Sequence, residues 1–356
     1  MPKLLVPPYI MDLPSYPLGK DYREDEIRLS ANENPLGPSP LALKRIEETL
    51  WRVHRYPDGL RNKLLKALAE WLKVEERNLV LGNGSNEIVD MVIKAFLREG
   101  DEVLVPSPGY AYYRISARAR GGIVKEVPLD FPKINLFRVA SLINEKTKII
   151  FLDNPNNPTG TIFTQREFLD FLKNIREEVV IVLDCAYAEF VEEVDYLNPR
   201  KLLEIDRSLI ILRTFSKFFG LAGLRIGYGI ARKELVEVLE RVRQPFNVSL
   251  LSLAGALGAL EDLDFQKRTR ELVLEGRRFL EEGLKELGLE YVPSQANFLL
   301  VRVGEKKGDL LKILEEDRIV VRDMSGYGLP EYIRVTIGKP EENRRLLDSF
   351  KRWAIS

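Results

Sequence analysis

A lysine set among aromatic residues offers the first chemistry in this chain. Lys217 stands between Phe215 and the Phe218/Phe219 pair, with small or hydroxylic residues at Thr214, Ser216, Gly220, Ala222 and Gly223. Crowding by apolar groups favours the neutral amine, and a neutral lysine is a nucleophile that forms a Schiff base with an aldehyde. Ser216 and Arg225 add a hydroxyl and a planar guanidinium, donors suited to a phosphate. An aldehyde that carries a phosphate suggests pyridoxal phosphate, which is the expected cofactor. A buried helix edge with a lysine stretched toward solvent is the competing reading of the same stretch.

Other residue patterns suit the same chemistry. Asp184 ends the apolar run 179–183, where a buried carboxylate needs a cation or hydrogen bonds, and a protonated pyridine nitrogen meets that need. Tyr187 follows three residues later. Two Asn-Pro steps, Asn154-Pro155 and Asn157-Pro158, impose a rigid turn able to aim an amide side chain. The stretch 82–87, with Gly84, Ser85 and Asn86, reads as a glycine turn opening a helix, whose free N–H groups suit a phosphate; Ser85 or Asn86 as a simple helix cap explains it too. Tyr110 lies just past a strand end, placed to stack on a planar ring or to pack in the core.

To hold these groups together the chain needs strands that stop at them. Apolar β-rich runs at 78–81, 102–105, 148–152, 179–183, 208–213 and 226–230 alternate with helical periodicity, which predicts right-handed crossovers and a mostly parallel sheet. Ligands then bind at the C-terminal ends of the strands, where every candidate so far lies. Helical periodicity at 41–51 and 60–72 precedes this block, and more follows at 233–242, 250–260 and 265–287. Short strands at 290–292, 297–301, 319–322 and 332–337 then predict a smaller α+β domain. The Pro-rich residues 1–40 lack a core of their own and should wrap over another surface. The expected division is an arm at 1–40 packing with the small domain, a large α/β domain at 41–262 and a small domain at 263–356.

Composition narrows the function further. With 54 basic and 54 acidic residues there is no electrostatic case for nucleic acid or an anionic membrane. One cysteine, Cys185, excludes an internal disulfide framework, and one histidine, His54, leaves little for a metal site. No signal-peptide pattern and no apolar stretch of about 18 residues is present, so a cytoplasmic protein is expected. Residues 1–40 are also too few for a DNA-binding module.

The stretch from Ser216 to Gly227, Ser-Lys-x-x-Gly-Leu-Ala-Gly-Leu-Arg-x-Gly, resembles the lysine segment of the fold-type-I aminotransferases. Residues 154–160 are similar to their Asn-Pro-x-Asn-Pro-Thr-Gly motif, and residues 30–37, Ser-Ala-Asn-Glu-Asn-Pro-Leu-Gly, resemble the N-terminal signature of histidinol-phosphate aminotransferases and their near relatives. The resemblance covers essentially the whole chain. It implies that Lys217 bonds the cofactor and that Asn157 and Tyr187 reach its phenolic oxygen. Asp184 would meet the ring nitrogen and Tyr110 would stack on the ring, while Gly84, Ser85, Asn86, Thr214, Ser216 and Arg225 hold the phosphate. Tyr56 is then expected to reach across a homodimer interface to the neighbouring cofactor's phosphate. The strand motif Tyr-x-Arg-x-Thr-x-Gly, here at 332–338, implies that Arg334 takes the substrate anion, with Arg322, Tyr16 and Asn34 completing the substrate site. The implied activity is transamination between histidinol phosphate and 2-oxoglutarate, in histidine biosynthesis. An aromatic amino-acid aminotransferase or a threonine-phosphate decarboxylase on the same scaffold is the alternative.

Overall fold

The computed structural model describes residues 5–13, 23 and 25–355. The chain first lays down a short strand, β1 (Ile27–Leu29), then leaves it to build a seven-stranded sheet. The seven are β2 (Leu79–Gly82), β3 (Glu102–Ser107), β4 (Ile123–Pro128), β5 (Thr147–Asp153), β6 (Val180–Asp184), β7 (Leu209–Thr214) and β8 (Gly227–Ala231), in the order β2-β8-β7-β6-β5-β3-β4. β3 to β7 run parallel, and β8 is antiparallel to both of its neighbours. The reversal has a simple cause. A parallel return needs a crossover of a dozen or more residues, usually helical, whereas the 215–226 connection holds only a single 3-10 turn, Ala222–Leu224.

Burial explains which strands the sequence announces. Every residue of β6 and β7 is buried, with layers on both faces, so each reads as an apolar run, Val180–Leu183 and Leu209–Leu212, before it ends in polar residues. The edge strand β4 is mostly exposed and reads Ile-Val-Lys-Glu-Val-Pro, without the apolar alternation of a half-buried strand. It pairs through its backbone with β3 over six residues, and nothing in its side chains foretells that.

The second sheet closes the chain on its beginning. β9 (Tyr291–Val292), β10 (Phe298–Arg302), β11 (Ile319–Asp323) and β12 (Tyr332–Thr336) pair antiparallel, and β1 adds to β11 in parallel, giving the order β1-β11-β12-β10-β9. The helices Leu263–Glu286 and Pro340–Ile355 pack on one another beside this sheet. A hinge-like knot of hydrogen bonds marks where the long helix starts. Asp262 caps it by accepting from the Phe265 N–H at 3.1 Å, and also accepts from the Ser39 hydroxyl at 2.6 Å. Ser39 in turn caps the helix Pro40–Thr49. Burial works against charge on Asp262, but these donors outweigh it and hold its carboxyl below the usual range.

The lysine segment is welded to the N-terminal arm at one glycine. Gly220 adopts a left-handed φ of 68°, and a Cβ there would lie 2.1 Å from the Gly37 carbonyl oxygen, which is backbone and cannot swing aside. Gly220→Ala should therefore destabilise the fold by about 3 kcal/mol, read as a lowered midpoint in equilibrium chemical denaturation. A midpoint equal to that of the unaltered protein would show that the arm does not press on this turn.

Candidate active site

The parallel strands end on one cavity of about 1170 Å³, roofed by β11, β12 and the arm. Its lining includes Lys217, Asp184, Tyr187, Asn157, Tyr110, Ser85, Asn86, Thr214, Ser216 and Arg225 from the large sheet's side. Arg322 and Arg334 line it from the second sheet. Residues separated by up to 249 positions, from Ser85 to Arg334, thus share one space.

Lys217 follows β7, in the turn that the aromatic cluster Phe215, Phe218 and Phe219 packs into the core. Its Nζ donates to the Ala31 carbonyl at 2.8 Å. Burial, and then the nearby Arg334 charge, lower its pKa to about 8. The apolar surroundings read from the sequence thus act as expected, and a cation from the other sheet adds to them.

Asp184 ends β6, buried at 7% exposure. Its two oxygens accept from the Tyr113 hydroxyl at 2.9 Å and the Ala186 N–H at 3.1 Å. Burial pushes its carboxyl up to about 6 despite those bonds. Asn157 is aimed by its turn: its own N–H donates to Asp153 at 2.8 Å, and its side-chain oxygen accepts from Arg334 at 2.5 Å. Tyr187 receives a hydrogen bond from Asn32 at 3.0 Å, and burial pushes its phenol up to about 12.

An anion cradle forms where β2 meets β8. Gly84, at a left-handed φ of 74°, precedes the helix Ser85–Phe96, and no side chain caps that helix start. A Cβ on Gly84 would sit 2.5 Å from Arg225 Nη2, so a side chain there would push the guanidinium from its place. Arg225 itself holds a left-handed backbone, φ 51°, and approaches the Ser216 hydroxyl at 3.4 Å. The Thr214 side chain accepts from the Ser216 N–H and fixes that turn.

On the other side of the cavity, β11 and β12 place Arg322 directly opposite Arg334. Like charges across an antiparallel pair repel. Arg334 donates to Asn157 and to the Ser30 carbonyl at 2.9 Å, both neutral acceptors. Among the described residues, no carboxylate forms an ion pair with Arg322.

Two expected residues stand elsewhere. Asn34 is buried away from the cavity, its amide donating to the Phe218 carbonyl at 2.8 Å and to Thr269 at 3.2 Å, so it anchors the arm rather than facing a substrate. Tyr56 is 72% exposed and stacks on Phe246 at 4.3 Å, outside the cavity of its own chain. Tyr16 lies outside the described residues. The sequence in turn gave no sign of Tyr113, Asp153 or Asn32. Each earns its place through a partner remote in sequence or one strand away.

The cavity fits pyridoxal phosphate. Lys217 offers an amine that burial inclines toward its neutral, nucleophilic form, ready to attack an aldehyde, and Asp184 offers a buried carboxylate for a ring nitrogen. The uncapped helix start, Ser216 and Arg225 offer donors and positive charge for a phosphate.

Comparison with known proteins agrees with this reading. The family profile "Aminotransferase class I and II" matches residues 24–350. A histidinol-phosphate aminotransferase of Desulfotalea psychrophila is 40% identical, over 97% of this chain and 94% of its own. The structure of histidinol-phosphate aminotransferase from Sinorhizobium meliloti in complex with pyridoxal-5'-phosphate superposes with a TM-score of 0.91 at 25% identity, covering 99% of this chain and 98% of that one. The corresponding structure from Clostridium acetobutylicum gives 0.83 at 29% identity, covering 92% and 99%.

A protonated amine does not attack an aldehyde, and lowering the pKa makes Lys217 neutral above about 8 instead of above the ordinary 10.5. Reductive labelling of the cofactor-free protein with a simple aldehyde, mapped by peptide mass, should rise at Lys217 with a midpoint near pH 8. A midpoint matching the surface lysines would contradict the proposed role of burial.

Proposed function

The chain belongs to the class I and II aminotransferases, and from that premise we propose that it exchanges an amino group between L-histidinol phosphate and 2-oxoglutarate. It is a pyridoxal-phosphate-dependent transaminase. The observation that carries the substrate reading is the facing pair Arg322 and Arg334 at the cavity. Two guanidiniums held against each other suit a phosphate that meets both, whereas the forked donors of Arg334 alone match a carboxylate. Histidinol phosphate has no α-carboxylate, so its phosphate would take the place that glutamate's carboxylate takes in the other half-reaction. The 40% identity to a histidinol-phosphate aminotransferase supports the same assignment.

Bound pyridoxal phosphate supplies an electron sink for the pair left when the substrate's Cα–H bond breaks. The rest is the work of side chains. Lys217 Nζ would take the proton from the substrate's Cα and deliver it to the cofactor's C4′ carbon, which leaves the amino group with the cofactor. Asp184, oriented by Tyr113 and the Ala186 N–H, holds positive charge on the ring nitrogen. Asn157 and Tyr187 would hold the phenolic oxygen, and Tyr110 would stack on the ring. Gly84, Ser85, Asn86, Thr214, Ser216 and Arg225 would hold the phosphate. Arg334, tied to Asn157, seats the substrate anion next to the ring-holding residues, so its place and the cofactor's are set by one hydrogen-bonded unit.

We take residues 1–40 as an arm of the small domain, 41–262 as the large domain and 263–356 as the small one. β1 in the second sheet and the helix that starts at Leu263 support that division. We also propose a homodimer. Exposed Trp51, Val53, Tyr56 and Phe246 form apolar surface, and Tyr56 lies outside its own cavity, as a residue serving a neighbour's site must. No helix among the described residues is long and apolar enough to cross a membrane, and a cytoplasmic setting suits the biosynthetic reaction.

Absorption spectroscopy of the cofactor-loaded enzyme tests the substrate. Histidinol phosphate and glutamate should each bleach the lysine-bound cofactor's band, and phenylalanine should not; bleaching by phenylalanine alone would make this an aromatic aminotransferase. Arg322→Ala should lower kcat/KM for histidinol phosphate about 100-fold, the scale of a charge-assisted contact, and for glutamate far less. Equal losses would refute a dedicated phosphate contact. Sedimentation at micromolar concentration should give a dimer, and a monomer with full activity would remove the role of Tyr56.

A further inference from the structure

Asp184 does not end its strand alone. On the neighbouring parallel strand β5, Asp153 occupies the facing register position, and the two carboxyls are 7% and 3% exposed. Both line the cavity. Burying one carboxylate is already unfavourable, and a second one beside it cannot share the same ionised state cheaply. One negative charge therefore has two candidate owners, and only one of them helps the reaction.

The donors around the pair differ. Asp153 accepts from the Asn157 N–H at 2.8 Å and from the Asn156 side chain at 3.0 Å. Asp184 accepts from the Ala186 N–H and from the Tyr113 hydroxyl. The counts are equal, so the balance rests on the phenol. Tyr113 is held rigidly to deliver it: its ring is 1% exposed, stacks on Phe151 at 4.6 Å and 5°, and meets the Tyr110 ring edge-on at 5.3 Å. The remaining titratable or charged groups facing the pair are Tyr110 on the same segment, Cys185 and Tyr187 after β6, Lys217 after β7, and Arg334 of β12 through Asn157.

We propose that Tyr113 is a positioning residue that directs the single negative charge of the Asp153–Asp184 pair onto Asp184. Asp153 is then the neutral member, and its task is to grip the turn that aims Asn157. The electrostatics lean the same way. Burial pushes both carboxyls up; the charge of Asp184 adds to that push on Asp153, while Tyr113, the Ala186 N–H and Lys217 oppose it at Asp184. The inference rests on Asp184 being the carboxylate that meets the cofactor's ring nitrogen.

The test reads cofactor affinity of the cofactor-free protein by quenching of its tryptophan fluorescence. Tyr113→Phe keeps the ring and its stacking but removes the donor, so charge moves to Asp153 and Asp184 takes up the proton. Affinity at pH 7 should fall about tenfold, the scale of one hydrogen bond to a charged group, and the pH at which half the maximal affinity is reached should rise. In an Asp153→Asn background the charge has nowhere else to go, and the same Tyr113→Phe change should lower affinity only about threefold relative to Asp153→Asn alone. A merely structural tyrosine predicts the same loss in both backgrounds and an unmoved pH midpoint, and either result overturns the proposal. Asp184→Asn serves as the separate control: if it binds the cofactor as tightly as the unaltered protein, the assignment of Asp184 to the ring nitrogen fails instead.

Discussion

Charge buried at the ends of apolar strands is the constraint on which this molecule depends. β5 and β6 run through apolar residues and stop at Asp153 and Asp184, and β7 runs from Leu209 to Leu212 before Arg213 and Thr214, with Lys217 in the turn that follows. Desolvation acts on these groups in the same sense, pressing each toward its neutral form. For Lys217 that is useful, because the neutral amine is the reactive one. For Asp184 it is a threat, and the donors from Tyr113 and Ala186 resist it. The same low-polarity environment thus activates one residue and has to be countered at another a strand away.

The arm is part of that answer. Ser30 and Ala31 give their carbonyls to Arg334 and Lys217, and Asn32 reaches Tyr187 while its own carbonyl receives Asn297 from the second sheet. Backbone carbonyls satisfy these cations without adding a full negative charge, so both stay available to a ligand. Asn32 needs a left-handed backbone to do this, φ 54°, which asparagine tolerates better than most residues. The arm's anchoring follows from the same stretch, since Asn34 binds the Phe218 carbonyl next to Lys217 and β1 joins the second sheet.

Much of this was legible in the sequence, for physical reasons. Lys217, Asp184 and Asn157 sit where a buried strand or a proline-fixed turn ends, and such endings leave a local pattern. Arg322 and Arg334 were legible as strand residues, but their direct opposition depends on register, which no local pattern states. Tyr113 reads as one aromatic among several in the run 110–113, and its function comes from a carboxylate 71 residues away. Asn32 and Asn34 flank one glutamate in a repeated Asn-x-Asn, and only the fold decides which faces the cavity. The antiparallel course of β8 and the edge strand β4 escaped because the lack of a crossover helix in the 215–226 connection and backbone pairing, not side-chain pattern, determine them.

The net charge of zero conceals a strong local field. Arg225 and Arg334 both depress the pKa of Lys217, so the cations suited to the two anions also keep the amine neutral. Linkage makes this reciprocal: an anion that pairs with Arg334 weakens its repulsion of the lysine proton, and the lysine becomes a stronger base once that anion is seated. Before that, the empty arginine adds to burial in lowering the fraction of the amine that is protonated. One guanidinium can therefore favour attack on an aldehyde in the resting site and proton removal in the filled one, with no movement of the main chain between them.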